Sequence, residues 1–321
     1  MTATAPTAED AIRAADADRR DDGPLRLGLL ISHLRPEEKA ILAAARARGL
    51  VVTTMIDREL VLDLNASSAA DSDLAVDVVL DRSVAHTKAL YTLRTMDRRG
   101  VPTLNTPWAV AVCDDKVACS LALAKAGVPT PRTVVCYSVE SALRAAETLG
   151  YPLVLKPVTG SWGRLLARIN GPEQMRTILG QKTEHGGFHH EVLYLQEFVE
   201  KPGRDIRAYV VGGRVLAASY RSSEHWVTNA ARGAISRPCP VTPEIERLSL
   251  LACDAVDARM AGVDLFETGD GLQVVEVNSG GEFKGLQTTT DVDIAAEIVT
   301  EAVRIAERSK RAETASSGSV R

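Results

Sequence analysis

The chain has 321 residues, 45% hydrophobic and 25% charged, with a formal net charge of -4, a balance expected of a soluble globular protein with two or three packed subdomains. No uncharged apolar run approaches the roughly 20 residues that a bilayer-crossing helix needs, and the slightly acidic sum carries no basic signature for nucleic acid. Five cysteines, Cys113, Cys119, Cys136, Cys239 and Cys253, form no CxxC pair, which argues against a zinc site or disulfide framework and fits a reducing cytoplasm.

Residues 1–24 are rich in Ala and Asp and lack an apolar signal region, so they read as a flexible extension, and 308–321 read as a second flexible tail. Between 25 and 112, strand-like segments at 26–32, 51–56 and 76–82 alternate with a helix from Pro36 to about Arg48. This alternation predicts an open α/β domain suited to contacting substrate. No GxGxxG follows its first strand, so a nicotinamide cofactor is disfavoured.

A helix from Pro107 to about Ala126, ended by Gly127 and Pro129, leads into a central subdomain over 113–190, with strand RTVVCY, a helix at 138–149 and strand YPLVLKP. Residues 191–307 predict an α+β lobe of consecutive strands from Val192 to Ser222, with a Gly212-Gly213 hairpin turn. A helix from about Pro243 to Met260, a hairpin over 263–278 and a helix at about 292–307 complete it. No internal repeat is evident.

Four pieces carry candidate chemistry. Lys156 closes an apolar strand and is followed by Gly160, Ser161, Trp162, Gly163 and Arg164 before a second strand, LLARI. Glycines let backbone amides approach phosphate oxygens, and Lys and Arg neutralise charge during phosphoryl transfer; an ordinary hairpin with a surface lysine has the same pattern. Asp115 and Lys116 open a helix, where a lysine opposes the helix dipole unless it has an anionic partner. Asp205 and Arg207 lie two apart, hence on one strand face, as a ribose and phosphate pair or a simple cross-strand ion pair.

Glu276 and Asn278 share a strand face, and Asp264 lies on the preceding strand. Two carboxylates and an amide suit magnesium, which prefers hard oxygen donors. A two-residue Asp270-Gly271 turn would set Asp264 opposite Val277, whereas a three-residue Gly269-Asp270-Gly271 loop would set it opposite Glu276; both are allowed.

In this order the pieces resemble the ATP-grasp superfamily over residues 26 to 307, and within it the RimK-like branch. KPVTGSWGRLLARI and EVNSGGEFKG look most like the LysX ligases of amino-group-carrier lysine biosynthesis. The resemblance implies an ATP-grasp fold preceded by an open α/β pre-ATP-grasp domain, a combination of α/β and α+β. It implies that Lys116, Lys156 and the Gly160–Arg164 loop contact ATP phosphates and that Gln196, Glu197, Phe198 and Val199 line the adenine pocket. Asp205 would sit near the ribose. Arg207, Asn229 and Arg232 would act at the transferred phosphate, with Asp264, Glu276 and Asn278 holding Mg2+ or Mn2+.

It further implies an acyl phosphate attacked by an amine, with an amino acid such as α-aminoadipate joined to the C-terminal Glu of a small acidic LysW-like carrier protein. A homo-oligomer, dimer or tetramer, is expected on the same ground. Alternatives are a RimK-type ligase adding glutamate or another amino acid to a protein tail or small molecule, and a nucleotide-binding regulatory protein without catalysis.

The sequence departs from the LysX pattern after Asn278, where it reads SGGEFKG and places Gly280, Gly281 and Gly285 where bulkier or polar residues are usual. Glu282, Phe283 and Lys284 remain as candidate substrate contacts, in a pocket expected to be widened by the glycines. His185, His189 and His190 lie in a segment read as a mobile loop rather than a metal cluster, and Ser161 lacks the GxSxG context of a hydrolase nucleophile.

Overall fold

A computed structural model of the chain describes residues 23–66, 74–160, 165–185, 192–228 and 233–318. Two compact units divide it: residues 1–104 with 302–321, and residues 105–301. Among the described residues no helix is long and apolar enough to cross a membrane.

The first unit carries a parallel sheet in the order β2-β1-β3-β4, formed by Arg26–Ile31 (β1), Val51–Ile56 (β2), Val78–Arg82 (β3) and Thr103–Leu104 (β4). Central strands of such a sheet are covered on both faces, so β1 and β3 are almost continuously apolar and buried. Gly28 lets β1 and β2 close up, because a Cβ there would stand 2.8 Å from Met55 Sδ. Helices Pro36–Ala47 and His86–Arg98 flank the sheet. The final helix, Ile294–Gly318, is helical well past Glu307, where a flexible tail was expected. Its apolar signal ends at Ala306, and ion pairs such as Lys310 to Asp77 at 3.5 Å hold the continuation.

The second unit has two antiparallel sheets. Thr133–Cys136 (β5), Leu153–Lys156 (β6), Ala167–Ile169 (β7) and Leu193–Glu197 (β8) form one, in the order β5-β8-β6-β7. β8, expected to open the C-terminal lobe, therefore belongs to the central sheet. Arg204–Val211 (β9), Arg214–Ser222 (β10), Ile235–Cys239 (β11), Met260–Thr268 (β12) and Gly271–Asn278 (β13) form the other, ordered β11-β10-β9-β12-β13. Ile206, Ala208, Val263, Leu265, Val274 and Val277 send one face of this sheet into a core shared with helices 107–125 and Pro243–Ala255. Its other face is free to carry polar side chains.

The single helix expected from Pro107 to Ala126 is two helices, Pro107–Asp114 and Lys116–Lys125. Asp115 leaves helical geometry and its carboxylate accepts from Val117 N and Ala118 N, so it caps the second helix and fixes Lys116 at its first turn. The helix at 243 ends at Ala255 rather than Met260, which instead begins β12.

In the first unit Asp81, at the end of β3, is buried; burial pushes its carboxyl up to about 6, against the Ser83 N–H bond and the Arg82 charge. A carboxyl whose folded value exceeds its unfolded one is penalised as pH rises between the two. Asp81→Asn, which keeps the acceptor for Ser83 N, should therefore stabilise the protein by on the order of 2 kcal/mol at pH 7, with the gain vanishing near pH 4. Urea unfolding of both proteins across that range checks the sign.

Candidate active site

The hairpin of β12 and β13 determines where the acidic groups point. Thr268 stands opposite Gly271, so the turn holds Gly269 and Asp270 and is neither of the two loops expected from the sequence. Continued without interruption, that register would set Val275 opposite Asp264 and turn Glu276 into the core. A bulge between Asp264 and Leu265 absorbs Val275: Leu265 pairs with Val274, and Asp264 pairs with Glu276. Asp264, Glu276 and Asn278 thus share the face opposite Val263, Val274 and Val277. The expected pairing is present, by a different route.

Across β12, Arg207 on β9 is the direct partner of Asp264, and Arg221 on β10 is the partner of Asp205. Arg207 Nε lies 2.6 Å from Asp264 Oδ1, and its Nη2 donates to Oδ2 at 3.2 Å. Arg221 donates twice to Asp205, at 2.7 and 2.9 Å, while its Nη2 stands 3.0 Å from Asp264 Oδ1. Thr228 Oγ1 donates to Asp205 Oδ2, and Lys201 Nζ reaches Thr228 Oγ1 at 2.6 Å and the Phe266 ring at 4.5 Å. Burial alone would raise the Asp264 carboxyl; Arg207 and Arg221 outweigh it and hold it below the usual carboxylate range. Three cations, Lys201, Arg207 and Arg221, face two carboxylates, Asp205 and Asp264, which leaves this cluster positive.

The end of β6 and the start of the helix Lys116–Lys125 bring two lysines near this cluster. Lys116 Nζ donates to Gly160 O at 2.8 Å and pairs with Glu276 Oε1 at 3.3 Å. Lys156 ends β6; burial pushes its ammonium down to about 8, with the Glu276 carboxylate opposing and the Lys116 charge adding. Gln196 is buried and donates to Thr133 Oγ1 and Tyr194 OH, and Glu197 Oε1 accepts from Arg132 N at 2.7 Å. Phe198 lies under Arg168 at 4.0 Å and beside Trp226 at 6.0 Å, and Val199 follows it beyond the end of β8. Beyond them an open cleft is lined by Glu200, Lys201, Pro202, Glu267, Thr268 and Gly269.

Several expected site residues are placed differently. Asp205, expected near a ribose, is buried with both oxygens engaged by Arg221 and Thr228, so it organises cations from inside. Phe283 is buried edge-on against Tyr209, a structural anchor for the segment after β13, whereas Glu282 and Lys284 are exposed. Of the glycines expected to widen a pocket, a Cβ at Gly281 would stand 2.9 Å from Gly262 N and one at Gly285 2.8 Å from Ser236 Oγ; only Gly280 has open space. Ser161, Trp162, Gly163, Arg164, Asn229 and Arg232, like His189 and His190, lie outside the described residues. Sequence reading missed Lys201, Arg221 and Thr228, whose link to Asp205 exists only across strands and loops.

Among the described residues no cluster of three His, Cys, Asp or Glu side chains is set to hold a metal, so the fit rests on Asn278 as third donor. Asn278 Nδ2 donates to Gly262 O at 3.4 Å, which leaves its Oδ1 as an acceptor. Asp264 stays ionised and has lone-pair capacity left on Oδ2, where among the described residues Arg207 alone donates. With Glu276 these hard oxygens fit a magnesium-type cation.

The family model described as a RimK-like ATP-grasp domain matches residues 113–302, and one described as a LysX preATP-grasp domain matches residues 27–112. The chain belongs to the RimK-like ATP-grasp family. An alpha-aminoadipate–LysW ligase LysX from Saccharolobus solfataricus is 32% identical over 81% of this chain and 94% of its own. A glutamate–LysW ligase ArgX from Sulfolobus acidocaldarius is 29% identical over 86% and 97%. The crystal structure of a RimK domain ATP-grasp protein from Sphaerobacter thermophilus superposes with a TM-score of 0.74 at 25% identity, covering 87% of this chain and 99% of that one.

The two carboxylates of the hairpin should separate in stability. Asp264→Asn leaves buried guanidinium charge uncompensated and should cost roughly 3–5 kcal/mol. Glu276→Gln, which breaks a partly solvated pair with Lys116, should cost less than about 1 kcal/mol. Thermal and urea unfolding of the two variants check this ordering.

Proposed function

We propose that this protein is an ATP-dependent ligase that activates a carboxylate as an acyl phosphate and joins it to the α-amino group of an amino acid. The observation that carries the reading is Asp264 and Glu276 paired on one sheet face, with Lys116 paired to Glu276 and Arg207 to Asp264. Phosphoryl transfer asks a protein mainly for placed charge, and this face presents acids for a metal beside cations for phosphate oxygens. Lys116 and Lys156 would hold the nucleotide phosphates, and the segment Gln196–Val199 would flank the base. Arg207, fixed by its ion pair, would neutralise charge developing on the transferred phosphate. Asp264, Glu276 and Asn278 would hold Mg2+, or Mn2+ in its place, which when bound neutralises phosphate charge.

The likeness to LysX and ArgX ligases supports a small acidic LysW-like carrier protein as the source of the carboxylate, through its C-terminal Glu. For the amine, α-aminoadipate is the first reading. Glutamate is the second, favoured by the similar coverage of the glutamate ligase. Glu282 and Lys284, exposed just beyond β13, would meet the amino and carboxylate groups of the amino acid.

The test is MgATP turnover with α-aminoadipate, glutamate and other amino acids, each with and without a carrier protein. Hydroxylamine should trap a hydroxamate when carrier and MgATP are present. Lys156→Ala and Glu276→Gln should each lower substrate-dependent ADP release by on the order of 10²–10³-fold while remaining folded. Near-normal release in both variants removes the assignment.

A further inference from the structure

We propose that Gly262 is a positioning residue for Arg207: the side chain it lacks is the space in which the guanidinium stands while it engages Asp264. This deepens the ligase reading and rests on it for the role of Arg207. Arg207 is the cross-strand partner of Asp264, yet its guanidinium does not reach straight across. It lies along β12 over the next residue on the same face. A Cβ built on Gly262 would come 2.3 Å from Arg207 Nη1, closer than the two atoms can stand, and 3.1 Å from its Cδ and Cζ, which is also tight.

The backbone gives no other reason for glycine there. Gly262 is not among the residues with positive φ, so its main chain suits any L-residue. A glycine inside a strand costs roughly 0.5–1 kcal/mol relative to alanine and often marks a close approach. Here what approaches is the Arg207 guanidinium.

Gly281 forms the second wall of the slot, since its Cβ would stand 3.2 Å from Nη1 as well as 2.9 Å from Gly262 N. That wall is fixed in place. Tyr209 OH donates to Gly281 O at 3.1 Å, and Asn105 Nδ2 donates to Ser279 O at 2.8 Å. With Gly262 beneath, Gly281 beside it and Asp264 in front, the guanidinium has one place to stand.

The two glycines differ as probes. At Gly281 the nearest atoms are the Gly262 main chain, so a substitution there moves backbone. At Gly262 all three nearest atoms belong to the Arg207 side chain, which can swing away while the sheet stays intact. Gly262→Ala should therefore displace one cation and little else.

Substrate-dependent ADP release and melting temperature are measured for wild type, Gly262→Ala, Arg207→Ala and the double variant. Misplacing a catalytic group by about 1 Å can cost about 10²-fold, so Gly262→Ala should lower kcat at least about tenfold, with KM for ATP moving less than about threefold. The double variant should match Arg207→Ala within about twofold, because a slot without its arginine has nothing left to position. An equal loss from Gly262→Ala in both backgrounds, or wild-type kcat in Gly262→Ala, overturns the proposal. If Gly262→Ala is too unstable to assay, the cycle is read in melting temperature: relief by Arg207→Ala supports the slot, and undiminished destabilisation overturns it. Normal turnover in Arg207→Ala itself defeats the ligase role given to that arginine and not the slot, which the melting cycle then decides.

Discussion

A β-strand turns successive side chains to opposite faces, and β13 has to satisfy two incompatible phases of that rule. Leu272 and Val274 pack on the core, which by strict alternation commits positions 276 and 278 to the core as well. One extra residue, Val275, is taken up in a bulge, and the phase changes: Val277 becomes the next core residue, and Glu276 and Asn278 come out beside Asp264. The polar face of the five-stranded sheet depends on this slip. Without it a carboxylate would sit among Val263, Val274 and the helix beneath, and no acid would face Lys116.

Once the acids face the right way, the charge on Asp264 has to be sustained where burial disfavours it. Asp264 and Asp205 are each paired with an arginine from the neighbouring strand, and Arg221 touches both carboxylates. A buried ion pair is not by itself stabilising, because desolvation offsets the attraction; its use is to fix charges at defined places. Asp205 serves that use from inside, anchoring Arg221 and Thr228. The surplus of cations in this cluster, together with Lys156 at the end of β6 and Lys116 at the start of its helix, suits a polyanion such as a nucleotide phosphate chain.

Much of this was legible in the sequence. The apolar runs of β1 and β3, the Gly212-Gly213 turn and the Asp205/Arg207 alternation were readable because each is a local pattern of period or turn chemistry. So was the association of Asp264 with Glu276 and Asn278. The break at Asp115 was also written locally, as a capping aspartate, but a helical pattern running through it concealed the stop.

What the sequence by itself determined was the family, the roster of acids, lysines and arginines available for the site, and the kind of element where a local pattern ran uninterrupted, as at β1, β3 and the Gly212-Gly213 hairpin. Only the tertiary structure decided which of them meet. Strand register selects partners far apart in the chain, so Arg221 could be joined to Asp205 and Asp264 only once β9, β10 and β12 were aligned. The same holds for Gly281, which reads locally as a flexible residue in a widened loop and in the fold is a wall pressed against Gly262 and Arg207. Local sequence encodes conformational preference, while close approach between strands is a property of packing, and packing exists only after the chain has folded.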